Sequence, residues 1–275
     1  MSTSHVSHTL DKGWQASLAL RFTHTPEKTL LYSAKHTGPL TVQRPFYPEG
    51  ETCHLYLLHP PGGIVGGDRL DISVHLEANG HALITMPGAS KFYRSSGPRA
   101  RLSQHFYLDD ESTLEWLPQD TIIFPGANAA LRSVFHLKAS STLLAWELYC
   151  LGRPVINETF SHGTLESRLE VWVDDEPRLI ERQHLSGGDL TPVAGHPWIG
   201  TLLFYPAREE HLESVRERLA PLKNFAGATL TDGLLSVRFL SHDNLICQRV
   251  MRDVWKSLRP LLTTKNACSP RIWQT

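Results

Sequence analysis

The chain has 275 residues, 41% of them apolar, with seven tryptophans and a formal net charge of −1. That is enough apolar chain for a substantial core, and it is not the composition of a disordered segment. Near-neutrality gives no electrostatic basis for binding nucleic acid, and apolar runs of about four to six residues are too short to cross a bilayer as a helix.

The first thirteen residues, MSTSHVSHTLDKG, lack the apolar stretch of a secretory signal. They read as a flexible tail on a cytoplasmic chain forming one domain over 1–275. Cys53, Cys150, Cys247 and Cys268 lie far apart with no C-x-x-C pair, which predicts reduced, buried thiols. The fifteen histidines are scattered without H-x-H or HExxH spacing, so a built-in zinc site is not expected.

Strict alternation at Ala16, Leu18, Leu20 and Phe22 opens the first strand, and runs at 30–35, 53–59 and 70–77 continue the pattern. Pro26, Pro39, Pro45 and Pro48 mark the turns between them. Between the last two runs lies PPGGIVGGD, residues 60–68, with four glycines (Gly62, Gly63, Gly66, Gly67) and Asp68. It is not a phosphate loop. No Lys-Ser/Thr follows the glycines, and a strand follows them where a phosphate-binding helix would start. The glycines predict a tight turn or a close approach, by a partner or by the next layer of sheet.

The middle third repeats weakly. Leu76 and the turn EANG are echoed by Leu108 and DDES, then by Leu137 and KASS, with the leucines 32 and 29 residues apart. Each unit reads strand, four-residue polar turn, strand. Stacked coils that bury their apolar faces on one another fit this period, and so does a run of ordinary hairpins. Either way the region is sheet.

From residue 206 the period changes. Pro206 at a first helical position, Glu209 and Glu210 in the first turn, and Leu212, Val215, Leu219 and Leu222 on one face predict a helix over 206–222. After a strand pair over 228–240, Asp243 caps a second helix with apolar positions at Ile246, Val250, Val254, Leu258 and Leu261, ended or kinked at Pro260. On its other side Arg249, Arg252, Lys256 and Arg259 fall within an arc of about 80°, a solvated face or a docking stripe for an acidic partner. The fold class is therefore mainly β, with stacked, β-helix-like strands and two α-helices in the C-terminal third.

No nucleophile elbow, P-loop or dinucleotide fingerprint occurs. The residues that could carry chemistry are carboxylates set in apolar strands: Glu115 in LEWL, Asp120 in PQDTIIF and Glu147 in AWELY. Alternation places Glu115 and Glu147 opposite their neighbouring tryptophans. With one sheet face covered the acids meet solvent. With both covered they are buried, and must be paired or line a wet passage where a divalent cation could meet them.

Several stretches resemble one family. PPGGIVGGDRL (60–70), ALITMPGASKFYRS (82–95), LEWLPQDTIIF (114–124), Trp146-Glu147 with Leu151-Gly152-Arg153, and the closing Val254-Trp255, Leu258-Arg259-Pro260 and Pro270-Arg271-Ile272-Trp273 are similar, in order, to the signatures of the UreD (UreH) urease accessory proteins. The departures are Met86, where a polar residue is expected, and Asp120, where the family pattern has Glu. The resemblance implies a non-enzymatic maturation factor that binds urease apoenzyme and a UreF-type helical accessory protein, and through it a UreG-type GTPase. It also implies that nickel passes transiently through an internal channel, with no tightly bound cofactor. Asp68, Glu115, Asp120 and Glu147 would then be weak ligands along the path. Gly62, Gly63, Gly66 and Gly67 of the loop and Arg249, Arg252, Lys256 and Arg259 of the helix would meet partners. The alternative is a β-solenoid polysaccharide hydrolase that uses two of the strand carboxylates.

Overall fold

A computed structural model describes residues 13–219, 222 and 225–274. The expected tail, 1–13, lies outside these residues apart from Gly13, as do Ala220, Pro221, Lys223, Asn224 and Thr275.

Two sheets face each other. One has seven strands in the order β14-β13-β11-β8-β5-β1-β2, and the other has ten, with β16-β17-β15-β12-β9-β6-β4-β3 as its main path. The chain winds between them: β4 (Cys53–Leu58), β6 (His81–Thr85), β9 (Thr113–Leu117) and β12 (Thr142–Leu151) belong to the larger sheet. β5 (Arg69–Leu76), β8 (Ala100–Leu108), β11 (Asn128–Leu137) and β13 (Thr164–Val173) alternate with them in the smaller one. Strands stacked within a sheet are parallel, so the middle of the chain is a coil and not a series of hairpins.

The weak sequence repeat is this coil. Leu76 pairs with Leu108 and Leu108 with Leu137, so the three leucines form one ladder. The polar turns stack above them, with Asn79 N–H donating to Asp110 O (3.0 Å) and Ser140 Oγ to Asp110 Oδ1 (2.9 Å). Apolar alternation follows from the two-residue period: Leu70, Ile72, Val74 and Leu76 point between the sheets, each at most 3% exposed. Phe106 stacks on Phe135 (centroids 4.5 Å apart, 9° between planes) and tilts against Trp116. Fully buried rings of this size each contribute about 1.5–3 kcal/mol by leaving water.

At the ends of the coil the pairing reverses. β2 (Thr29–Thr37) runs antiparallel to β1 (Gln15–His24), and β14 (Glu176–Ser186) antiparallel to β13. The larger sheet closes likewise, through β3 (Thr41–Val42) on β4 and the antiparallel set β15 (Trp198–Tyr205), β17 (Leu234–Ser241) and β16 (Ala226–Thr231).

A second core lies on the outer face of the larger sheet, where two helices cover Leu83, Leu117, Leu144, Trp146 and Phe204. α1 spans Glu209–Arg218, shorter than the expected 206–222. Pro206 is not its first residue, because Ala207 N–H still donates to Gly233 O (2.7 Å) and holds 206–208 to the sheet. α2 spans Asn244–Thr263 and is capped as expected, Asp243 Oδ1 accepting from the N–H groups of Leu245 (2.7 Å) and Ile246 (3.3 Å). It runs three residues past Pro260, to a left-handed Thr264. Val250, Val254 and Leu258 are buried under it, whereas Leu261, placed on the apolar stripe, is 56% exposed. Among the described residues no helix is long and apolar enough to cross a membrane.

Candidate functional site

The Pro60–Asp68 loop and the stretches after β6, β9 and β12 gather at one rim of the coil, beyond the C-terminal ends of the parallel strands. A backbone ladder joins them. Ile64 N–H donates to Lys91 O (2.7 Å), Ser90 N–H to Asp120 O (2.9 Å) and Gly152 N–H to Ile123 O (2.8 Å). Two short strands, β7 (Ser90–Phe92) and β10 (Thr121–Ile123), carry it across to β12.

The glycine loop is shaped by its neighbours in this rim. A Cβ on Gly63 would sit 2.0 Å from the Tyr93 ring, and one on Gly66 would sit 2.2 Å from Ser95 Oγ. Gly62 and Gly67 adopt left-handed φ values of 75° and 95°. One of the close approaches expected for the loop, by the next layer of the protein itself, is made here. Asp68 locks the turn: Oδ1 accepts from Trp14 N–H (2.8 Å) and Oδ2 from Val65 N–H (2.9 Å).

Under the rim, between the sheets, is a cavity of about 420 Å³ bordered by His59, Pro60, Ile64, Met86 and Lys91. A much smaller one of about 20 Å³, room for roughly one water, adjoins it, beside Gln104, Trp116, Gln119, Glu147 and Tyr149. Met86, Ser90 and Leu102 line both, so they form the partition.

Glu147 is the only one of the four expected carboxylates that borders either space. Its donors are neutral: Ser133 Oγ–H to Oε1 (2.5 Å) and Tyr149 O–H to Oε2 (2.7 Å). Burial pushes its carboxyl above the ordinary range. The two hydrogen bonds oppose that rise, and the charge of Glu181 adds to it. Across the cavity Gln104 is 6% exposed, and its Oε1 has no hydrogen-bond partner. A buried amide oxygen and a half-buried carboxylate bordering one small volume, with no cation among its lining residues, suit a transient cation.

Glu115 has the opposite surroundings. It lies on the same sheet but faces α2, since Trp116 takes the space between the sheets and β9 pairs Glu115 with Leu144. His81 Nε2 is 2.7 Å from Oε1, Trp255 Nε1–H donates to Oε2 (2.7 Å), and Arg259 Nε–H reaches both oxygens at 3.0 Å. Burial would raise this carboxyl, but His81, Arg259 and Trp255 together hold it below its usual value. Arg259 also donates to Glu49 (2.7 Å), which lies 2.6 Å from His54 Nε2, and to Asn266 O. Burial opposes the fall at Glu49 too, yet hydrogen bonds from His54 and Arg259 bring it to about 2.

Arg259 is therefore no part of an exposed basic stripe; it is fully buried. Arg252 lies over the Trp273 ring (5.3 Å), and only Arg249 and Lys256 of the four are exposed. The chain after α2 folds back over part of that side of the helix, covering Arg252 with Trp273 and Arg259 with Asn266. Asp120 also faces the helices, where Asn244 Nδ2–H (3.2 Å) and Gln248 Nε2–H donate to it; burial raises its carboxyl against those bonds.

The four acids thus occupy separate places. Among the described residues no three His, Cys, Asp or Glu side chains come together as a metal site. Glu115 and Glu147 lie on opposite faces of one sheet, so these two do not face each other as a glycosidase pair would, and Glu115 and Asp120 are each held by side chains of α2. Alternation did hold a signal for the small cavity. Gln104 interrupts Leu102-Phe106-Leu108, and Ser133 interrupts Leu131-Phe135-Leu137, both at inward positions beside Glu147.

Residues 15–274 match the family model for the UreD urease accessory protein. The chain belongs to that family. It is 78% identical over 263 residues to a urease accessory protein UreD of Enterobacter sp. (strain 638), covering 96% of each chain. Its likeness to the UreD of Citrobacter koseri is 68% over 271 residues, 98% of this chain and 95% of the relative. To that of Pseudomonas putida (strain GB-1) it is 56% over 265 residues, 96% of each. The UreD signatures quoted above thus fall in two places, the rim with its partition and the α2 clamp around Glu115.

Proposed function

We propose that this chain is a non-catalytic scaffold of urease maturation in the cytoplasm. It binds urease apoenzyme and a UreF-type helical protein, and through the latter a UreG-type GTPase. It passes nickel through the space between its two sheets, with Glu147 as a way-point. The observation that carries the reading is the pair of cavities with a shared wall, the smaller one bordered by a half-buried carboxylate whose hydrogen-bond donors are all neutral.

A conduit needs weak, sequential contacts, because a closed ligand set would retain the ion. Glu147 with Gln104 opposite fits that requirement. Asp68, Glu115 and Asp120 leave the path, since each is engaged in holding the fold. On the outside, Arg249 and Lys256 remain for an acidic partner surface, and Gly62, with open space around it, is the loop glycine that stays accessible.

The test is replacement of Asp68, Glu115, Asp120 and Glu147 singly in a strain that expresses urease with all its accessory proteins. Glu147→Gln should lower nickel per urease active site while co-purification with the apoenzyme persists. Glu115→Ala should lower the amount of folded protein. Full nickel loading with Glu147→Gln would sink the conduit.

A further inference from the structure

From the partition between the two cavities, we infer that Met86 is a gate on the passage, an inference that rests on the conduit reading above. Three side chains make the partition, and they differ in what they can do. Leu102 is fixed in β8 and belongs to the core between the sheets. Ser90 is short and sits in the β7 ladder. Met86 lies in the turn after β6, packs against the same core and is 9% exposed. Its thioether accepts from Ser90 Oγ–H at 3.8 Å. It is the one wall element with several rotatable bonds and a polarizable tip, packed in the core with its sulfur accepting one weak hydrogen bond.

The volumes show why a gate is needed. The outer chamber, about 420 Å³, can hold a hydrated divalent cation. The inner one, about 20 Å³, holds about one water, so the hydrated ion does not fit and the passage is closed at this point. An ion reaching Glu147 must leave most of its water in the outer chamber or meet a wider partition. Rotation of Met86 away from Ser90 joins the two volumes without moving backbone, because neither Leu102 nor the β7 ladder need shift.

The experiment compares Met86→Ala, Met86→Phe and Glu147→Gln in cells expressing urease and its accessory proteins, at limiting nickel. It reads the initial rate of urease activation, nickel per active site and co-purification of the chain with apoenzyme. A gate predicts opposite signs: Met86→Ala activates a few-fold faster, and Met86→Phe at least several-fold slower, both with co-purification unchanged. A purely packing role moves both variants downward, since each disturbs the core. Wild-type rates for both Met86 variants, with Glu147→Gln reduced, overturn the gate and leave the conduit. Wild-type rates for all three overturn both. Should Met86→Phe fail to accumulate, Met86→Ala decides alone, and a rate no faster than wild type overturns the gate.

Discussion

Glu115 and Glu147 are carboxylates on neighbouring strands of one sheet, and they face opposite ways into opposite chemistry. Glu115 is enclosed by a guanidinium, an imidazole and an indole N–H, and ties β9 to the last turns of α2. Glu147 has two hydroxyl donors, an unpartnered amide oxygen across from it and a small cavity. The contrast separates two uses of an acid set in an apolar strand. One whose charge is fully matched is a structural clamp, and one whose charge is left unmatched is available to a passing cation.

Breaking the clamp should give the largest effect. Arg259→Met leaves the buried Glu115 and the half-buried Glu49 without their shared cation, and should cost about 3–5 kcal/mol in urea unfolding. Adding Glu115→Leu to that variant should restore part of the loss. Removing the lock of the glycine loop comes next: Asp68→Ala orphans the N–H groups of Trp14 and Val65, and should cost about 1–3 kcal/mol by the same assay.

Acid sharpens the comparison from the other side. Glu49 titrates near 2 in the folded chain against about 4.5 unfolded, and Glu115 shifts in the same direction. The unfolded chain therefore takes up protons first, and clamp stability, fully present above about 4.5, is lost as pH falls toward 2. Glu49→Gln should flatten the pH dependence of the melting temperature in that window. Glu147 has the reverse sign. Its raised carboxyl costs stability as pH rises and the group ionises, so Glu147→Gln should gain at most about 1 kcal/mol at pH 7 and nothing at pH 4.

Much of this architecture was legible in the chain. The spacing of Leu76, Leu108 and Leu137 marked a repeat that fitted stacked coils or hairpins, which the parallel pairing decides for coils, and Asp243 announced the start of α2. The partners of Arg259 were not legible. A helical wheel places it with Arg249 and Lys256 because it knows only the helix. The far side is decided by Glu115, Glu49 and a C-terminal segment that returns over the helix to set Trp273 against Trp146 and Trp255. The facing of Glu115 and Glu147 was likewise undecided, since alternation gives opposition to a tryptophan but not which side that tryptophan takes. Trp116 and Trp146 take different sides.

The reversed pairing at the ends of the coil sets a limit on size. A parallel coil presents, at each end, backbone groups that another coil of the same kind could continue, which is how solenoids grow and how fibres start. Here β2 and β14 end the smaller sheet with strands of the wrong direction, and β14 carries Glu176, Arg178, Glu181 and Arg182 along its exposed edge. A second copy meets a reversed strand carrying charges in place of another parallel turn, so the coil's own pattern stops at its ends.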